Sequence, residues 1–257
     1  MSNSSLATYT KISPNKTSPR NHSIDTLTIH CMAGNLTVEK CGDLFYSKLR
    51  RASSNYGIGS DGRIALYVEE KDRSWCSSNR ANDMRAITIE VANDGGADTG
   101  WHVSSDAMNS LIELVVDICK RNGKKKLLWL GNKADTLAYS TKADEMVMTA
   151  HRWFANKACP GDYLYNNFGY IASKVNARIG EACAPENSGT PEKTFTPYTV
   201  IITASVLHVR SGAGTLNAVT GIVKSGEVYT IVDESGGWGK LKSGAGWICL
   251  KYTKRRS

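Results

Sequence analysis

His151, Lys157 and Cys159 place an imidazole, an ammonium and a thiol along one short segment that ends in Pro160-Gly161. A second imidazole, His30, closes the run Ile24 to His30, which reads as a buried strand. Two histidines and a cysteine can hold a zinc ion while leaving its fourth position open to water. That open position separates a catalytic zinc site from a structural one. The separation of His151 from Cys159 is too long for one helical turn. It predicts a helix end followed by a loop that folds back, with Pro160-Gly161 forcing the turn. The residues therefore predict a zinc hydrolase. The same side chains also fit a rival chemistry, in which Cys159 is a nucleophile and His30 or His151 its base.

The elements that must position these groups can be read from hydrophobic periodicity. Leu44, Phe45 and Leu49 predict a helix between Leu36 and Arg51, and strands are expected at Ile64–Val68 and Ile87–Val91. Glu90 sits near the end of the second of these, and an acid in an apolar strand carries a desolvation penalty that favours a site role. Ser104-Ser105-Asp106 begins a helix whose apolar face includes Leu111, Ile112, Leu114, Val115 and Ile118, with its end at Gly123. A last helix is expected from Asp162 to Ile179, stopped by Gly180. Residues 1–20, rich in Ser, Asn, Thr and Pro, are expected to wrap the surface. The fold expected for 1–180 is α/β, a central mixed sheet flanked by helices.

From residue 181 the composition changes. Residues 181–196 read as a linker of turn-forming residues. In 197–257 the helical signals vanish, and six short β-rich runs separated by turn residues predict a small all-β barrel.

Four motifs occur in a fixed order: the strand ending in His30, the segment Asn55 to Ile64, the strand Ala86 to Val91 containing Glu90, and His151 to Gly161. In that order they resemble the type 2 N-acetylmuramoyl-L-alanine amidases, a family that includes phage lysozyme-type amidases and peptidoglycan recognition proteins. The resemblance spans roughly residues 20–180, about one domain. It implies hydrolysis of the amide between N-acetylmuramic acid and L-alanine in bacterial peptidoglycan. It also implies Zn2+ held by His30, His151 and Cys159, Glu90 as the catalytic acid–base, and Lys157 as the partner of the developing oxyanion. Some members carry a catalytic tyrosine where this chain has Ser54. Tyr56 lies two residues on and is not given that role. The Leu207 to Gly212 segment, with Gly237-Trp238-Gly239 and Gly246-Trp247, resembles bacterial SH3-like cell-wall targeting domains. The whole chain then resembles a phage or prophage endolysin.

Composition bounds this reading. The net charge of +8 comes without a helix-turn-helix, a finger or an aromatic-basic strand motif, so nucleic acid is not an expected partner. A polyanionic wall would hold a basic enzyme near it. Seven scattered cysteines argue against a disulfide framework and for synthesis in a reducing compartment. No apolar run is long enough to span a bilayer. The first residues lack the pattern of a secretory signal, so the expected place of synthesis is a host cytoplasm, with action on the wall after release. Alternatives are a host autolysin or sporulation amidase and a non-catalytic peptidoglycan-binding protein. Cys31 is excluded as a ligand because adjacent strand residues face opposite sides. His22, His102 and His208 have no matched partner. Trp75 and Trp153 read as either core or substrate platforms, and Asn82 and Asn93 as possible peptide contacts.

Overall fold

A computed structural model of the chain describes residues 2–179, 196–214, 219–235 and 237–256. The chain divides into two compact units, Met1–Cys183 and Ala184–Ser257. The linker expected over 181–196 lies, apart from Thr196, outside the described residues, as does Gly180. Among the described residues, no helix is long and apolar enough to cross a membrane.

In the first unit the elements follow one another as β1 (Tyr9–Thr10), β2 (Lys16–Thr17), β3 (Thr26–Cys31), α1 (Val38–Tyr46), β4 (Tyr56–Ile58), β5 (Ile64–Leu66), β6 (Arg73–Ser74), α2 (Arg80–Arg85), β7 (Ala86–Val91), α3 (Ser105–Arg121), β8 (Lys126–Leu128), α4 (Lys133–Ala138), β9 (Glu145–Ala150) and α5 (Asp162–Ile179). Seven strands form one mixed sheet in the order β1-β5-β4-β7-β3-β9-β8. All neighbours run parallel except β4 and β5. Helices cover both faces, as a parallel sheet requires.

The two faces follow from alternation along the strands. Leu27 and Ile29 of β3, Ile87 and Ile89 of β7, and Met146 and Met148 of β9 enter one core with α3 and α5. The residues between them, Thr28, Thr88 and Thr149, are buried on the other face and paired by hydroxyl contacts. Thr28 and Thr149 lie 2.7 Å apart, as do Thr88 and Ser74. Asn82 of α2 donates to Thr28 at 3.0 Å and accepts from Thr149 at 2.9 Å, closing that polar layer. α1 packs over this other face farther along, where Val38, Cys41 and Phe45 meet Ala65 and Tyr67. α3 begins where expected, with the Ser104 side chain accepting from the Ala107 N–H at 3.1 Å.

Two expectations change. The helix read over Leu36–Arg51 stops at Tyr46 and is followed by a single 3-10 turn, Lys48–Arg50. The reason is tertiary: Asn15 donates to the carbonyls of Phe45 (3.0 Å) and Ser47 (2.8 Å), satisfying the helix end from outside. Residues 1–20 therefore do more than wrap the surface. β1 adds a parallel edge strand to β5, β2 pairs with β6, and the buried Arg20 donates to four carbonyls, of Glu70, Asp72, Met84 and Ala86.

The second unit is all-β, consistent with an SH3-like domain. Its strands are β10 (Tyr198–Ile202), β11 (Val206–Arg210), β12 (Val219–Lys224), β13 (Val228–Ser235), β14 (Trp238–Leu241), β15 (Trp247–Cys249) and β16 (Thr253–Arg256). They form one antiparallel sheet in the order β12-β11-β15-β14-β13-β10-β16 around Val200, Ile202, Val209, Ile231 and Ile248. The six runs read from sequence correspond to β10 to β15. β16 was not foreseen, because its residues are mostly charged, but it is an edge strand, where charge deters unwanted pairing.

Gly57 of β4 is where backbone and ring meet most closely, since a Cβ there would enter the Tyr67 ring. Tyr67 is fully buried, and its hydroxyl donates to the Val38 carbonyl at 2.6 Å. Gly57→Ala should therefore destabilise the first unit by about 1–3 kcal/mol, the usual cost of overpacking. Urea unfolding checks this, and an unchanged midpoint would refute it.

Candidate metal centre

Three adjacent parallel strands bring the first groups together. Pairing sets His30 of β3 opposite Glu90 of β7, and Ile29 opposite Ala150 of β9, so His151 follows at the next level. On each strand the residue lies on the face opposite the α3–α5 core, at the carboxyl end. In open α/β sheets this is where ligands bind. His151 does not end a helix, as its spacing predicts. It begins a 3-10 turn, His151–Trp153, directly after β9. The expected fold-back does occur: Arg152 N–H donates to the Cys159 carbonyl at 3.0 Å, and Gly161, at φ +83°, donates to Ala158 at 2.8 Å.

The loop returns Cys159 over the end of β3. Its Sγ lies 3.3 Å from His30 Nδ1 and accepts from the Cys31 N–H at 3.5 Å. Donor atoms of His30, His151 and Cys159 all lie within 4.8 Å of one another. The His30 and His151 rings stand 5.0 Å apart between centroids. His30 Nε2 is buried without a partner. Burial first, then the neighbouring His151, holds His30 well below its ordinary pKa; burial and the charge of Lys157 lower His151. Both rings are thus neutral near pH 7, the form that ligates a metal. Hydrogen bonding with Cys31, followed by burial, keeps the Cys159 thiol protonated, a state a coordinated cation reverses. Two imidazoles and a thiol are a donor set that fits zinc.

His30 also belongs to a second group, with Cys76 and Glu90, whose donor atoms likewise lie within 4.8 Å of one another. Glu90 Oε1 accepts from Cys76 Sγ at 3.8 Å, and Oε2 is buried without a partner. Burial pushes the Glu90 pKa up to about 8, with Cys31 adding to it. Lys157 is exposed on the wall of the cleft into which His151, Cys159 and Glu90 open, a cavity of about 730 Å3.

The other candidates sort cleanly. Tyr56 is fully buried on the far side of its strand, where its hydroxyl accepts from the Ser4 N–H (2.8 Å) and donates to Glu70 (2.6 Å); Ser54 donates to the Tyr56 carbonyl at 2.7 Å. Trp153 stacks on Trp129 at 5.5 Å in the core, whereas Trp75 lines the cleft. Asn82 belongs to the threonine layer. Asn93 donates to the Trp101 carbonyl at 2.9 Å. His22 and His208 are exposed, and His102 pairs with Asp94 at 2.6 Å. Cys31 lines the cleft beside Cys159 without entering either group of donors. Sequence reasoning missed Cys76 and Ser78, whose Oγ lies 3.1 Å from His151 Nε2. Neither has a sequence signal, because both reach the site from a loop.

Fold and site together define an α/β protein with a cleft at the strand ends that could hold a metal ion. The chain belongs to the N-acetylmuramoyl-L-alanine amidase family, whose model matches residues 20–162, more than half of the 257 residues. Comparison with curated proteins gives no match. Among solved structures, the chain is similar to the endolysin N-acetylmuramoyl-L-alanine amidase LysCS from Clostridium intestinale URNW, at 20% identity over 66% of this chain and 93% of that one (TM-score 0.45). It is also similar to AmpD, at 19% identity over 66% and 96% (TM-score 0.47). A third is the hydrolase AmiA of Staphylococcus aureus, at 14% over 66% and 82% (TM-score 0.46).

The two donor groups make different predictions. With cobalt(II) as the probe, Cys159→Ser should abolish the thiolate-to-metal absorption band, and Cys76→Ser should leave it. The opposite result would move the metal to the group of His30, Cys76 and Glu90.

Proposed function

We propose that the protein is a zinc-dependent peptidoglycan hydrolase that cleaves the amide between N-acetylmuramic acid and the L-alanine of the stem peptide. The observation that carries this reading is a convergence, in a chain of the amidase family, of two imidazoles, a thiol and an unpartnered carboxyl oxygen at one cleft. His30, His151 and Cys159 would hold a zinc ion, which when bound would supply a Lewis acid and lower the pKa of water. Glu90, whose pKa burial raises to about 8, ionises more readily beside a cation, and in that form takes the proton of the attacking water at Oε2 and returns it to the departing amine. Lys157, a cation on the cleft wall, faces the charge that develops on the carbonyl oxygen. Ser78 Oγ, 3.1 Å from His151 Nε2, steadies that ring.

The second unit is the wall-binding part, an SH3-like barrel, and 197–257 its extent, with the catalytic domain in 1–180. Between residues 191 and 257 there are nine Lys/Arg against four Asp/Glu, a balance suited to a polyanionic wall. The six cysteines described are free, and a thiol ligand needs a reducing compartment during synthesis. An enzyme made there against a substrate outside the membrane, and joined to a wall-binding unit, fits an endolysin.

Mass spectrometry of purified wall after digestion tests the reaction: new muramic acid termini and free L-alanine amines should appear together. Glu90→Gln and Lys157→Met should keep about one zinc per chain while losing roughly two or more orders of magnitude in rate. Cys159→Ser should lose metal and activity together; a zinc-replete but inactive Cys159→Ser would favour the cysteine nucleophile. For the second unit, the full chain should sediment with intact walls of a sensitive species, and Lys254, Arg255 and Arg256 changed to Gln should weaken that binding. Undiminished sedimentation of the variant would remove the charge argument.

A further inference from the structure

Thiols gather at the cleft. Of the six described cysteines, all free, four line its wall: Cys31, Cys41, Cys76 and Cys159. The other two lie elsewhere, Cys119 inside α3 and Cys249 in the second unit. Cys76 faces Glu90, with Sγ 3.8 Å from Oε1, and Cys41 is buried on α1 in the cluster that holds Tyr67. Cys31 and Cys159 face each other.

Cys31 is the last residue of β3 and is held there by pairing with Val91. The loop from His151 crosses the end of that strand, so Cys159 meets Cys31 from beyond the edge of the sheet. The Cys31 N–H donates to Cys159 Sγ at 3.5 Å, the two thiols interact directly, and both side chains pack against the same core cluster. A disulfide needs the sulfurs to close to about 2 Å. That movement falls to the loop, because strand pairing fixes Cys31 while Cys159 stands outside the sheet. Cys159 is also the more accessible of the two, half-buried where Cys31 is buried.

We propose that Cys31 and Cys159 are a site of reversible oxidation, joined as a disulfide by small-molecule disulfides when Cys159 holds no metal. The consequence for activity rests on the reading of Cys159 as a metal ligand. Cys159 gives its proton to solvent and attacks the small disulfide as a thiolate, and the small thiol it displaces takes up a proton. Cys31, deprotonated in turn, attacks Cys159 Sγ and displaces the second small thiol. Two protein S–H bonds give way to one S–S bond, and the two electrons reduce one small disulfide to two thiols. A sulfur in a disulfide is no longer the thiolate that zinc requires. A sulfur bound to zinc is not free to attack. Metal and disulfide therefore exclude each other, so reducing surroundings keep the site open to metal and oxidising ones close it.

The test uses the full chain, either stripped of metal by a chelator or loaded with zinc, and oxidised glutathione as the probe. Peptide mapping by mass spectrometry reads the products, and zinc binding is measured before and after. The stripped chain should retain no glutathione at Cys159 and should yield a cross-linked pair of peptides containing Cys31 and Cys159. Its zinc capacity, about one per chain when reduced, should fall about tenfold or more and return with dithiothreitol. The zinc-loaded chain should form the cross-link about tenfold more slowly or less. Cys31→Ala leaves all three proposed ligands in place, so in reducing buffer it should bind zinc and digest wall as the wild type does. Under oxidant its Cys159 should carry a persistent glutathione. Unreacted thiols or a lasting glutathione at wild-type Cys159, or a cross-link from Cys159 to Cys41 or Cys76, overturns the proposal. A Cys31–Cys159 disulfide that leaves zinc capacity unchanged would sustain the oxidation site and remove Cys159 from the metal, so the two failures are distinguishable.

Discussion

Parallel register among β3, β7 and β9 is the constraint on which the rest depends. Because pairing sets His30 opposite Glu90, and Ile29 opposite Ala150, three chemically active residues far apart in sequence reach one level of one face. A one-residue slip of any strand would turn its functional side chain into the α3–α5 core. That slip is resisted by two layers at once. Leu27, Ile29, Ile87, Ile89, Met146 and Met148 fill the apolar side, while hydroxyl contacts among Thr28, Thr149, Thr88 and Ser74 lock the polar side. The threonine layer is thus the footing of the site, and Asn82 ties it to α2.

The same burial that fixes geometry sets the chemistry. His30 is wholly enclosed, so its ring is held neutral, and Glu90, with one unpartnered oxygen, is raised to about 8. Groups placed this way are costly to the fold and useful to a reaction, a combination that clusters at functional sites. The loop from His151 to Gly161 contributes the remaining donor. It is shaped by its own backbone hydrogen bonds and by Gly161, so Cys159 arrives over His30 without belonging to the sheet.

Around this rigid floor the cleft walls are built from less regular chain: the turn at Lys48–Arg50 and the segment from Arg73 to Arg80. Asn15 holds the first in place by capping α1, and Thr17 holds the second through Arg73 and Trp75. Residues near the amino end of the chain therefore shape the cleft while contributing nothing to its floor.

How much of this was legible in the sequence depended on range. Alternation in Thr26 to His30 and in Ala86 to Glu90 already placed His30 and Glu90 on one side of their strands, since period-two patterning is a local property. The helical face of Leu111 to Ile118, the Ser104 cap and the span Asp162–Ile179 were equally local, and each lies where expected. Family motifs then grouped His30, Glu90, His151, Lys157 and Cys159, which the structure brings to one cleft. What sequence could not reveal was decided across the chain. The early end of α1 needs Asn15, the strand role of residues 9–17 needs β5 and β6 as partners, and β16 needs β10. Cys76 and Ser78 have no periodicity to betray them. Their roles come from where loops lie against the sheet, and side-chain partners more than a few residues apart are set only when the chain has closed on itself.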